Sequence, residues 1–464
     1  MPVIPVGWSN EGQDGAVTDE TSDTTDTTHS TDLTRDRSLQ GYWPSPWPAE
    51  DAGPTRPGCN PDVGGPSFGS APPAVVFREA IASTMVVLRD PGEVYVLCHS
   101  VGPDAVGWVE RIDPITLEPV ARSADLPAGP VWPGGLAAHA NGSLYVVFGR
   151  YAHRLDADLA VLASCRLPRD RPYNSFVVLA DGHLVTKDFG GVLPGEDPDR
   201  VVQPCELVVL EPDRLDIVET VELAEPSIAR LSSDGDTVVV VGVSRLVRAA
   251  WDGERLTPDE AFDGRYLQVD GQTYGWDPVV ALGAAWFLDN GFGSERYAGT
   301  FRGQGVNTAP LHLVRVDFDT GAATLTEVCG LPDGVIANPP LIDVGRRIAV
   351  AYDSGNGVLA AFDIAEDGST ALRWRHRQNH ACHPLLFADT GELLTNDHDA
   401  ERMADQLVVR DIATGDEVAR VDSGSIVQSV LFPTVGWDRD VYTCSFAGIT
   451  RMSVVGSLDS VVAG

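Results

Sequence analysis

The stretch HACHPLLFADTGELLTNDHD, residues 380–399, decides how the rest of the chain is read. An apolar run from Pro384 to Ala388 is followed by Asp389-Thr390-Gly391 and a second run from Glu392 to Thr395. Two short runs joined by a glycine-containing turn predict an antiparallel strand pair. Polar residues gather at the outer ends of the pair: His380 and His383 before it, Asn396, Asp397 and His398 after it. The pattern recurs as NSFVVLADGHLVTKDF at 174–189, where Thr186 and Asp188 match Thr395 and Asp397.

Working outward, six further segments align on a turn glycine, near Gly92, Gly142, Gly235, Gly283, Gly345 and Gly436. The mean step of about 49 residues lies in the range where one repeat is one four-stranded propeller blade. A second hairpin follows most pairs, as in WVERIDPITLEPVARS (108–123) and QLVVRDIATGDEVARV (406–421), and supplies the outer strands. No helical period persists over a long window, so the class is all-β. The eighth unit ends at GITRMSVVG (448–456) with no fourth strand, whereas AVVFREA (74–80) precedes the first unit with no partner. The expected fold is a single closed β-propeller of eight four-stranded blades, or seven if one unit fails. Its N-terminal strand completes the last blade and removes the exposed edges of an open array.

Upstream of the repeats, residues 1–40 are mostly Thr, Asp and Ser and cannot bury enough apolar surface to order, so a disordered acidic tail is expected. Residues 41–73 hold Trp43 and Trp47 among many prolines and glycines and predict an irregular strap packed on a surface and anchored by its aromatics. The propeller then occupies 74–464.

Net charge is −34, with 67 acidic against 33 basic residues, which argues against nucleic acid or an anionic membrane as partner. Lys187 is the only lysine and Asp outnumbers Glu. Short hydrated carboxylates without lysine stems suit a halophilic cytoplasm; a GC-rich genome that writes Arg for Lys gives the same bias. The seven cysteines are scattered without metal spacing and read as reduced thiols. The first residues carry no charged n-region or apolar h-region, and no run approaches a membrane span, so a cytoplasmic location is expected.

The Asp-x-x-Thr-Gly turn at Asp411 to Gly415 and the Asp-Thr-Gly at Asp319 to Gly321 resemble quinoprotein outer hairpins. With the polar strand ends, the chain resembles the quinoprotein-like and gluconolactonase-like propellers at the level of architecture. The tryptophan that usually follows the quinoprotein turn has a counterpart only near Trp374, and vicinal cysteines are absent, so pyrroloquinoline quinone is not expected. The gluconolactonase-like resemblance implies Asn, Asp and Glu around a divalent cation on one face.

In a propeller, the loop entering the innermost strand and the loop leaving the second strand lie on the same face, so residues in both meet at the channel mouth. That rule selects Asp188, Asp397, His398 and Lys187 as candidate catalytic groups. It selects Asn174, Trp276, Asn338 and His99 as candidate substrate-binding residues. Asp289, Asn290, Asp353, His380 and His383 are candidate metal ligands. Oxygen-rich sets suit Ca²⁺ or Mg²⁺, and histidines with a carboxylate suit Zn²⁺ or Mn²⁺. Asp188 and Asp397, four blades apart, are expected to face each other across the channel. The long segments after Asp188 and Asn290 are expected to cover the mouth, and Trp132 is a further candidate wall residue. The expectation is a metal-dependent hydrolase, lactonase-like, or a lyase acting on a small oxygenated molecule. The alternative is a non-catalytic propeller scaffold that binds a protein.

Overall fold

A computed structural model describes residues 39–454 except 70–71, 81, 103, 130–133, 193–195 and 198–199; the expected tail up to residue 38 and Trp132 lie outside this set. Within it, the strands form eight separate antiparallel sheets, each with a four-strand path, and these are the blades. Each strand pair read from the sequence forms the inner half of one blade. The second strands are nearly continuous apolar runs, such as Val94–His99 and Leu144–Phe148, and are buried along their whole length. A strand sandwiched between two neighbouring blades buries both faces, which removes the usual alternation. The outermost strands, Val161–Arg166 and Ile217–Glu222, alternate between exposed and half-buried because only one face meets the ring.

The turn joining the first two strands needs a residue at positive φ, supplied by Gly182 (φ 95) in blade 3 and Gly391 (φ 76) in blade 7. In blades 6 and 8 that conformation falls on Arg347 (φ 55) and Arg439 (φ 54) rather than on Gly345 or Gly436. Gly436 is instead required by close packing, because the Asp440 carboxylate occupies the space a side chain would need.

Ring closure follows the expected route. Pro73–Glu79 pairs with Gly448–Val454, from Pro73 opposite Val454 to Glu79 opposite Gly448, and so forms the outer strand of blade 8. The adjoining blade 1 holds it through Arg78, whose guanidinium lies 2.7 Å from Glu110.

The strap runs along the propeller axis rather than over an outer surface. Apart from a 3-10 turn at Glu50–Ala52 it is irregular, yet Tyr42, Trp47 and Phe68 are buried. Its carbonyls accept from amides on the axis-facing edges of the inner strands: Trp47 from Leu88 (blade 1), Pro48 from Ala138 (blade 2), Pro54 from Ser233 (blade 4), Thr55 from Val280 (blade 5) and Gly58 from Leu386 (blade 7). Innermost strands have no neighbour on the axis side, and a buried amide without a partner is costly. The strap supplies those partners near the turn ends of the strands and closes that face of the ring.

Deleting Val75–Glu79 removes the outer strand of blade 8 and leaves Gly448–Val454 as an open edge. We expect the melting temperature to fall by at least about 5 °C in a thermal scan, at roughly 2–4 °C per kcal/mol for large domains. An unchanged melting temperature would contradict the closure.

Candidate functional site: a blind cavity over a buried charge cluster

The strap places three charged side chains in the centre of the ring. Arg56 donates to Glu50 at 2.6 Å and to Asp51 at 2.9 Å, and its remaining bonds go to the Ser175 hydroxyl and the Leu231 carbonyl. Arg230, in the loop entering the blade 4 inner strand, donates to the other oxygen of Glu50 at 2.8 Å, to the Asn174 carbonyl at 2.5 Å, and through its backbone to Asp277 at 2.7 Å. His383 Nδ1 lies 3.0 Å from Asp51. All of these side chains are buried. The turn carrying them departs from ordinary backbone geometry: Asp51 (φ 49), Ala52 (φ 73) and Arg56 (φ 54) are left-handed. Such conformations persist only where surrounding contacts over-determine them, and here the ion pairs do so. Burial alone would raise the Asp51 carboxyl, but His383 and Arg56 hold it down at about 2. With Asp51 ionised, Nδ1 of His383 carries the proton of their bond.

Above this cluster, on the mouth face, lies a cavity of about 320 Å³. Arg230, His383 and Phe432 line it next to the charge cluster; the Phe432 ring lies 4.1 Å from His383 by centroid and 4.7 Å from the Arg230 guanidinium. Trp276, Asn338, His99, Phe301 and Phe446 contribute walls from blades 5, 6, 1 and 8 and from the segment after Asn290. That segment crosses the mouth from blade 5. Tyr297 donates to the Gln428 carbonyl at 2.7 Å, the Phe301 amide to the Gln428 side chain at 2.8 Å, and Asn379 to Thr300 at 3.2 Å. It therefore roofs part of the cavity, as a lid would. The described part of the segment after Asp188 instead borders a separate pocket with Arg169 and Arg171.

Trp276, Asn338, His99 and His383 all border the cavity, while Asn174 contributes only its carbonyl to Arg230. Burial keeps the His99 ring below its usual pKa, and its Nδ1 bonds to the Ser100 carbonyl at 2.7 Å.

The aspartates behave differently from the expectation of a carboxylate ring. Asp188 accepts from the Glu206 amide at 2.6 Å and pairs with Arg169; Asp397 accepts from the Asn379 amide at 2.8 Å and pairs with Arg420 at 2.9 Å. Neither borders the mouth cavity. Asp289 is taken by His312 and Gln272, Asn290 by Thr273 and Ala309, and Asp353 by Asn356 and Cys329. Each carboxylate or amide ends a second strand and finds its partners among nearby loops and the next strand. Burial raises the Asp289 and Asp353 carboxyls, consistent with enclosed structural groups. His380 accepts from the Asn396 amide at 3.1 Å and packs edge-on against Tyr352, and burial lowers its pKa to about 3. Among the described residues, no three His, Cys, Asp or Glu side chains are grouped so that they could hold a metal ion, so the metal set Asp289, Asp353, His380 and His383 does not converge. Lys187 is fully buried and gives its ammonium to the Asp188 and Ser227 carbonyls, and burial lowers its pKa. His398 lies 3.9 Å from Asp405, away from the cavity.

No family model matches the chain, and no curated protein is similar to it in sequence. Solved structures do resemble it. A quinohemoprotein alcohol dehydrogenase from Comamonas testosteroni superposes with a TM-score of 0.59 at 11% identity, over 88% of this chain and 80% of that one. The Dos1 propeller gives 0.54 at 10% identity, over 84% and 97%. Sqt1 from Chaetomium thermophilum gives 0.51 at 14%, over 84% and 99%. At these identities the likeness is one of fold, and it establishes the quinoprotein-like resemblance as architectural.

Beside His398, the fully buried Asp405 accepts from the Ser429 amide and from Asn396, and burial outweighs both bonds to push its carboxyl up to about 8 from 3.8. A raised folded pKa means that the folded state holds the proton more tightly. The resulting stability is complete below about pH 3.8 and is lost as pH rises through about 8. Denaturation from pH 5 to 9 should show stability falling with pH, and Asp405→Asn should flatten that component. An equal slope in both proteins would contradict the assignment.

Proposed function

We propose that the protein is a ligand-binding propeller whose mouth cavity takes one small, flat, largely apolar molecule. The observation that carries this reading is the blind cavity itself. The strap closes the turn face of the ring, and the remaining space is walled by Trp276, Phe301, Phe432 and Phe446. A cavity of about 320 Å³ is at the small end of the range for ligand sites, which are mostly apolar with a few placed polar groups. Binding is favoured over a metal-dependent hydrolase or lyase because Asp188, Asp289, Asp353 and Asp397 are engaged by amides, arginines and other side chains around them. The lid segment from Ser294 to Phe301 fits the same role, since roofing an apolar ligand removes its remaining surface from water.

Methyl 3-phenylpropanoate is a neutral probe of suitable size. Calorimetry should give a Kd of about 0.1–1 mM, in keeping with the modest efficiency of small ligands. Ala337→Phe points new volume into the cavity and should weaken binding at least tenfold with little change in melting temperature. Absence of binding to the unmodified protein, or equal binding by the filled variant, would contradict the reading.

A further inference from the structure

The floor of the cavity is more specific than its walls. His383 enters from the loop before the blade 7 inner strand and packs against Phe432, with ring centroids 4.1 Å apart and the ring planes inclined by 35°. Its Nδ1 is taken by Asp51, 3.0 Å from one oxygen and 3.1 Å from the other. Asp51 is in turn fixed by Arg56, and the turn bearing it is held in a left-handed conformation. The imidazole is therefore locked in orientation from below, and only its opposite edge, with Nε2, is left for the cavity that His383 lines. No hydrogen bond from a described residue reaches Nε2. Arg230 also lies over Phe432, its guanidinium 4.7 Å from the ring centroid, and adds positive charge to the same floor. The acidic side chain among the lining residues, Glu295, belongs to the lid rather than the floor.

We propose that His383 is the polar anchor of this cavity and that its ligand is a small aromatic acid, the ring lying among Trp276, Phe432 and Phe446 and the carboxyl group meeting Nε2. The inference rests on the binding reading above and adds the ligand class and the recognising atom. An acid suits this geometry because acid and imidazole share one proton, whichever partner carries it. The contact is a charge-assisted hydrogen bond in one form and a neutral one in the other. An aromatic body suits the walls because ring faces and edges pack well against one another at these distances. The overall charge of −34 opposes an anion only at long range, since separations beyond about 8 Å are screened at physiological ionic strength.

The test compares 3-phenylpropanoic acid, its methyl ester and 3-phenylpropylamine by calorimetry on the full chain at physiological salt. We expect the acid to bind at least about tenfold more tightly than the ester, the difference a charge-assisted bond supplies, and the amine to bind most weakly. His383→Phe keeps a ring against Phe432 and should bring the acid-to-ester ratio close to one, and Asp51→Asn should reduce it. If either variant fails to fold, the ratio on the unmodified protein decides alone. Equal binding of acid and ester, or tightest binding of the amine, would overturn the inference and leave the cavity reading standing. Binding of none of the three would overturn both.

Discussion

Glu50 holds two buried arginines at once, Arg56 from its own strap and Arg230 from the ring, and the interior of this propeller depends on that bridge. Eight blades around an axis leave inward-facing strand edges and a central space to be filled. The strap answers both needs. Its carbonyls pair with inner-strand amides from five blades, and its charged turn meets Arg230, Asp277 and His383 in the middle. Removing one member of such a buried network typically costs about 3–5 kcal/mol, because its partners are left charged and enclosed. Ion pairs on the rim of the ring, such as Arg214 with Asp216, sit in water and contribute little by comparison.

The same bridge turns a channel into a cup. Asp51 and Arg56 lie on the turn side of the space, and on the mouth side the segment after Asn290 reaches across to Gln428. The strap thus determines both the depth of the cavity and the orientation of His383 on its floor. Scaffold and site are coupled through a segment that contributes no blade strand.

The repeat was legible because each blade marks itself with the same local chemistry: a β-branched or apolar run, a turn that needs positive φ, and a second run buried on both faces. Even the closing strand could be read, since AVVFREA lacked a partner and the last unit lacked a strand. The wall residues Trp276, Asn338, His99 and His383 sit in the cavity because the entering and leaving loops of a propeller share one face, a rule that needs only the strand order. The partners of the aspartates depend on contacts that the strand order does not contain. Asp188 ends its strand and Asp397 lies near the end of its own, and in both places backbone amides and arginines lie within reach and engage the carboxylates. The central charges escaped notice because Pro- and Gly-rich composition reads as surface. The available signal was EDAGPTR at 50–56, a cluster of charge between buried aromatics that a solvated loop has no reason to carry.

Native-state hydrogen exchange on the strap tests most directly whether this segment is the core of the molecule rather than a covering. Gly53, Arg56 and Gly58 donate to carbonyls within the strap at 3.0 Å, and Ser233, Val280 and Leu386 donate to the strap from three blades. If the buried bridge organises the interior, these amides exchange only with the slowest, global opening of the propeller. Exchange of residues 47–58 at the rate of an open loop, while the second strands of the blades stay protected, would contradict the account.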